Sequence, residues 1–152
     1  MDGMRLESSI VVAQGADQVW EFLADPVRTT PRWDRSIAEV IPRSTGPLGV
    51  GWEATTVSPG GKRQDFRVTV WEPVSELSFA LLGSPMFRHA ELRFHLTGTP
   101  AGTRIDHVLD FAPRLPLLGS LLRLTSRRAL DTDLALLKRA LRESYEEPAE
   151  PR

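Results

Sequence analysis

The sequence predicts an α+β domain in which a seven-stranded, curved antiparallel sheet wraps round one long C-terminal helix, with two short helices between the first two strands. Three observations carry this reading. From about Leu117 to Glu147, Leu117, Leu121, Leu130, Leu134, Leu137 and Leu141 recur at mostly helical spacings, and Arg127, Asp131, Lys138 and Arg142 occupy the other side. Such a helix has one face to bury and needs a partner surface. Residues from about Ile37 to Phe111 supply it, because apolar and polar residues alternate there in short runs separated by Gly- and Pro-rich turns. A chain of 152 residues is one ordinary domain, expected over 4–147 with 148–152 as a flexible tail.

Each element follows from its local pattern. After a loose start at Met1 to Met4, Arg5 to Val12 alternates as a strand with Leu6, Ser8, Ile10 and Val12 on one face. Gln14-Gly15 leads into a short amphipathic helix, Ala16 to Ala24, with Ala16, Val19, Phe22 and Leu23 on one side and Asp17 at its positive end. Asp25-Pro26 ends it, and a second short helix or turn runs towards Trp33, broken by Pro31. Strands follow at Ile37 to Ile41, Trp52 to Val57, Gln64 to Trp71 (Phe66, Val68 and Val70 on one face) and Glu76 to Leu82. The Gly-rich run Gly46 to Gly51 precedes a strand rather than a helix N-terminus, so it reads as a turn and not as a phosphate cradle. The last two strands are the most informative. Even positions are apolar in Arg88 to Leu96 and odd positions in Thr103 to Phe111, and a tight turn near Pro100 and Ala101 makes paired positions sum to about 201. His95 then faces Asp106 outside, and Phe94 faces His107 inside.

Composition removes several function classes. The net charge of -1 lacks the basic excess that nucleic acid requires. There is no cysteine, hence no disulfide, thiol nucleophile or thiolate metal site. No signal-peptide pattern opens the chain, and the longest apolar patch, Leu115 to Leu124, is too short to span a bilayer and contains Arg123. A cytoplasmic location is the default expectation.

The order strand, two short helices, six strands, long helix carries further sequence features. They are "ADQVWEFLADP" at Ala16 to Pro26, Trp33, Gly49 to Trp52 leading a strand, "RVTVWEP" at Arg67 to Pro73, Gly102-Thr103-Arg104-Ile105 opening the last strand, and Leu136-Leu137-Lys138 in the terminal helix. Across nearly the whole chain this pattern resembles the polyketide cyclase/dehydrase branch of the START-like (SRPBCC) superfamily. The resemblance implies a helix-grip fold with a cavity between sheet and helix that holds a hydrophobic small molecule. It is compatible with aromatase/cyclases, with carriers of lipids, sterols or plant hormones, and with respiratory assembly factors, and fold does not choose among these. Cyclases place Arg, Tyr, His or Ser side chains inside the cavity; here the only tyrosine, Tyr145, stands at the end of the terminal helix.

The candidate ligand-binding residues are Trp33, Trp52, Phe66, Phe79, Leu92, Phe94, His107, Leu109, Leu121, Leu130 and Leu134. Rigid aromatic walls suit flat or branched apolar ligands, but the same residues also make an ordinary core. His107 is the candidate catalytic residue, since alternation turns it inward where it could move a proton; the plainer reading is a core histidine bonded to a neighbouring side chain or water. Trp20 and Trp71 fall off the inward pattern. His89 and His95 are six positions apart on one strand, about 20 Å, so they share no metal, and no metal or cofactor is expected. A triad of Ser78, His107 and Asp110 fails because Asp110 lies on the opposite face from His107. Leu115 to Leu124 could be a lid or a membrane-touching segment, but reads more simply as the start of the gripped helix. Three functions therefore compete: binding of a hydrophobic or aromatic small molecule, which leads; a polyketide cyclase or dehydratase using His107 as acid/base and an arginine such as Arg67 on an enolate; and a partner-binding module using Leu117 to Arg128.

Overall fold

The computed structural model describes residues 3–115 and 119–146, and the side chains of all of these except 119–126. The elements are β1 (Met4–Val12), α1 (Ala16–Leu23), α2 (Pro26–Trp33), β2 (Glu39–Pro42), β3 (Glu53–Val57), β4 (Arg63–Glu72), β5 (Glu76–Leu82), β6 (Phe87–Thr99), β7 (Gly102–Pro113) and α3 (Gly119–Tyr145). All seven strands form one antiparallel sheet in the order β1-β7-β6-β5-β4-β3-β2. This is the expected α+β architecture, with α1 and α2 bridging the two edge strands.

Register places the side chains. In the β6–β7 pair Phe94 faces His107 and His95 faces Asp106, as the even-odd alternation requires. β1 continues the same inner face, pairing Leu6 with Leu109, Ser8 with His107 and Ile10 with Ile105. The turn closing β6 to β7 works because Gly102 has φ 141° and packs directly on the chain after β1, where an added Cβ would stand 2.0 Å from the Val12 carbonyl oxygen. The outer face is polar, carrying ion pairs such as Arg5–Asp110 and Arg67–Glu53, each 2.7 Å. Exposed pairs of this kind contribute about 0–1 kcal/mol.

The long helix packs its leucine stripe across this sheet. Leu130, Leu134, Leu137 and Leu141 are all buried, each contributing about 1.5–3 kcal/mol of hydrophobic stabilisation. Arg127, Asp131, Lys138 and Arg142 face solvent. Leu121, and the lid or membrane reading of Leu115 to Leu124, fall outside the described side chains beyond Leu115.

Two local expectations are corrected. Pro31 does not break α2. The helix runs through it to Trp33, closed by the Asp34 N–H on the Thr30 carbonyl at 2.9 Å, and Thr29 anchors it by donating from its hydroxyl to the carbonyls of Phe22 (2.6 Å) and Asp25 (2.9 Å). A proline costs only the one bond its missing N–H would have made, and this helix ends within a turn. Secondly, β4 does not alternate throughout. A bulge at Thr69 shifts the register between Val68 and Val70, so Val70 pairs with outward Ser78 while Trp71 pairs with inward Leu77. Trp71 then meets Trp20 edge to face at 5.1 Å, and both pack against the main core.

Candidate functional site

Between the sheet and the two helices α2 and α3 lies a cavity of about 400 Å³. Trp33, Asp34, Ser36 and Ile37 border it from the end of α2, Val40 and Thr56 from β2 and β3, Ser58 and Lys62 from the β3–β4 hairpin. Gln64 and Phe66 on β4, Phe79 and Leu81 on β5, Leu92 and Phe94 on β6, His107 on β7 and Asp133 on α3 also border it, with Pro26 and Thr30 at one side. Six of the sequence candidates are therefore together at one cavity: Trp33, Phe66, Phe79, Leu92, Phe94 and His107. Trp52, Leu109, Leu130 and Leu134 are instead packed into core clusters and do not border it. Trp52 packs against Phe66 instead, their rings 6.1 Å apart.

The aromatic wall is continuous. Trp33 meets Phe94 edge to face at 5.9 Å, and the opposite partner of Phe94 is the His107 ring, stacked at 4.2 Å with planes 11° apart. Phe66 and Phe79 form a second edge-to-face pair at 5.2 Å. Against these apolar faces stand two buried polar side chains that have no partner among the described residues. His107 is 1% exposed and neither of its ring nitrogens has a hydrogen-bond partner among the described residues. The indole N–H of Trp33, 7% exposed, is also unpaired. No described side chain bonds the His107 ring, so of the plainer reading the bond to a neighbouring side chain is absent among the described residues. Burial pushes the His107 pKa down to about 4, so at neutral pH it is an uncharged imidazole offering one donor and one acceptor.

The charged side of the site was missed in the sequence. Asp133 borders the cavity from α3, and burial, reinforced by the nearby Asp34 carboxylate, pushes its pKa up to about 7. A signal existed: Asp133 stands three residues after Leu130 and four before Leu137, so a carboxylate interrupts the apolar stripe. Gln64 and Thr56 likewise share the inward parity of Phe66 and Ala54.

Other candidates lie elsewhere. Arg67 is on the outer face with Glu53, Asp110 with Arg5, and Ser78 accepts from Arg93 at 3.3 Å, so no triad forms round His107. Tyr145 donates to Glu21 at 2.8 Å and does not border the cavity. Among the described residues no group of three or more His, Cys, Asp or Glu is placed to hold a metal ion, and no helix is long and apolar enough to cross a membrane.

Fold and site together define a helix-grip domain with an apolar, aromatic-walled cavity between its sheet and helices. The chain belongs to the polyketide cyclase/dehydrase and lipid transport family, whose model matches residues 4–142. Among solved structures it is similar to the ZhuI aromatase/cyclase from Streptomyces sp. R1128, with 21% identity, 95% of this chain and 97% of that one covered, and a TM-score of 0.77. A START superfamily protein from Mycobacterium smegmatis matches at 17% identity over 92% and 98% of the two chains, TM-score 0.76. Protein MLL2253 from Mesorhizobium loti matches at 17% identity over 93% and 98%, TM-score 0.74. At these identities the likeness establishes the fold. No curated protein matches the chain.

Proposed function

We propose that the chain binds a hydrophobic or aromatic small molecule bearing at least one hydrogen-bonding group. Its apolar body would lie against Phe66, Phe79, Leu92 and Phe94, with its polar group at His107 and Trp33. The observation that carries this reading is the pair of buried, unpaired polar groups on one aromatic wall. Leaving a buried donor or acceptor unsatisfied costs about 1–3 kcal/mol, and a ligand hydroxyl or carbonyl recovers that. A volume of about 400 Å³ also suits a small-molecule site, which typically spans about 300–1,000 Å³. The test is native mass spectrometry of freshly purified protein, followed by organic extraction. A stoichiometric small molecule, or stoichiometric uptake of an environment-sensitive apolar dye that His107→Ala weakens, is the expected result. Protein that carries nothing and takes up no such dye would refute the reading.

A second reading, acid/base catalysis on a polyketide-like substrate, is favoured by Asp133. A group whose pKa lies near the working pH is well matched to proton transfer, and Asp133 at about 7 fits better than His107 at about 4. In that reading His107 polarises a carbonyl as a neutral donor and Asp133 moves the proton. Turnover lost in Asp133→Asn with affinity retained would favour it; turnover unchanged in both Asp133→Asn and His107→Ala would exclude it.

A further inference from the structure

We infer that the cavity selects amphiphiles with a cationic nitrogen, an apolar or aromatic body carrying an ammonium group seated between Asp133 and Asp34. The inference rests on the binding reading above and narrows it to a substrate class.

Two carboxylates from separate elements, Asp34 at the end of α2 and Asp133 on α3, border the same cavity and repel one another. Among the described residues no hydrogen bond or ion pair reaches Asp133, and Asp34 accepts only from its neighbour Ser36, at 3.0 Å from the backbone N–H and 2.6 Å from the hydroxyl. Of the other titratable groups on the wall, Lys62 is the one cation among the described residues, and it makes no described ion pair with either carboxylate. His107 is uncharged and deep. Lys62 is an exposed residue of the β3–β4 hairpin. Burial and the neighbouring charge hold Asp133 partly protonated near neutral pH, the state of a carboxylate lacking a partner.

The unpaired Trp33 and His107 groups, each more than nine-tenths buried, independently mark this cavity as a place that receives ligand atoms. A neutral ligand would satisfy those two and leave the carboxylate pair uncompensated. An anionic ligand would meet like charge. A cation satisfies the carboxylates.

The experiment is isothermal titration at pH 8 with three matched probes: 2-(1-naphthyl)ethylamine, 2-(1-naphthyl)ethanol and 1-naphthylacetic acid. The amine is expected to bind at least about tenfold tighter than the alcohol, the order expected for a partly solvated charge pair, and the acid weakest. Asp133→Asn should bring the amine-to-alcohol ratio close to one, and at pH 5.5, below the Asp133 value, the wild-type ratio should shrink. Asp34→Asn should also reduce the ratio, which keeps the test intact should Asp133→Asn fail to fold. Alcohol bound as tightly as amine, or a ratio unmoved by both substitutions, overturns the inference and leaves small-molecule binding standing. Failure of all three probes to bind overturns both.

Discussion

Replacing His107 by leucine tests the description of the site at its centre. His107 is 1% exposed, unpaired at both nitrogens and held at a pKa of about 4 by burial, against an ordinary 6.5. The unfolded chain therefore binds this proton more readily than the folded one. Stability owed to the neutral ring is complete above pH 6.5 and is lost as pH falls through 4. Between pH 7.5 and 4.5 the loss amounts to about 2.5 kcal/mol. His107→Leu removes it. At pH 7.5 the substitution also relieves an unpaired buried group, about 1–3 kcal/mol, and forfeits the stack on Phe94, about 0.5–1.5 kcal/mol. The variant should thus lie between about 0.5 kcal/mol less and about 2.5 kcal/mol more stable than wild type at pH 7.5, and move about 2.5 kcal/mol further in its favour at pH 4.5. Asp133 acts in the opposite sense: its raised pKa gives stability that is present at low pH and lost as pH rises through about 7. Both proteins contain it, so it cancels in their difference. Urea denaturation followed by tryptophan fluorescence at pH 4.5, 5.5, 6.5 and 7.5 measures that difference. Parallel wild-type and variant profiles would show that His107 titrates as in water, and the dry, unpaired imidazole would be wrong.

Three further substitutions probe the scaffold. Gly102→Ala places a Cβ 2.0 Å from the Val12 carbonyl oxygen at φ 141°, and should cost about 3 kcal/mol or more, lowering Tm by roughly 10 °C in a thermal melt. Val74 has φ 70° in the β4–β5 turn, a left-handed conformation unfavourable for a β-branched residue; Val74→Gly should raise stability by up to about 1 kcal/mol, read from the urea midpoint. Leu137 is 0% exposed on α3, and Leu137→Ala should destabilise by about 2–5 kcal/mol; a loss below about 1 kcal/mol would mean the leucine stripe is not packed as described.

The sheet and its register were legible because one face of each strand is buried, so a slip by one residue would exchange core and solvent faces along a whole strand. That constraint is why Phe94 and His107 could be paired from parity alone. It fails where the backbone departs from regularity without a marker. Thr69 is β-branched and reads as ordinary strand, yet it is the bulge that turns Trp71 inward. Pro31 carries the reverse lesson, a breaker tolerated because little helix remains beyond it. The cavity wall was legible only in part. Trp52 and Phe66 share parity and chemistry, and which borders the space depends on how far the sheet curls away from the helices, a distance no pattern encodes. Asp133 was within reach, since a carboxylate on a leucine stripe demands a partner or a purpose.

The strand order has a consequence for how the chain is made. β2 to β7 form successive neighbours, so each of β3 to β7 pairs with the strand made just before it. β1 pairs only with β7, joining positions such as Val12 and Thr103 about ninety residues apart. During synthesis from the N-terminus, β1 emerges first and waits for nearly the entire sheet before its partner exists. Meanwhile its own edge and the growing edge of the sheet offer unpaired backbone groups to other chains. The last helix, which packs on β1, leaves the ribosome later still. The emergence of α3 is thus the moment at which sheet and helix close together, and truncation of α3 should be felt in β1, at the opposite end of the sequence order.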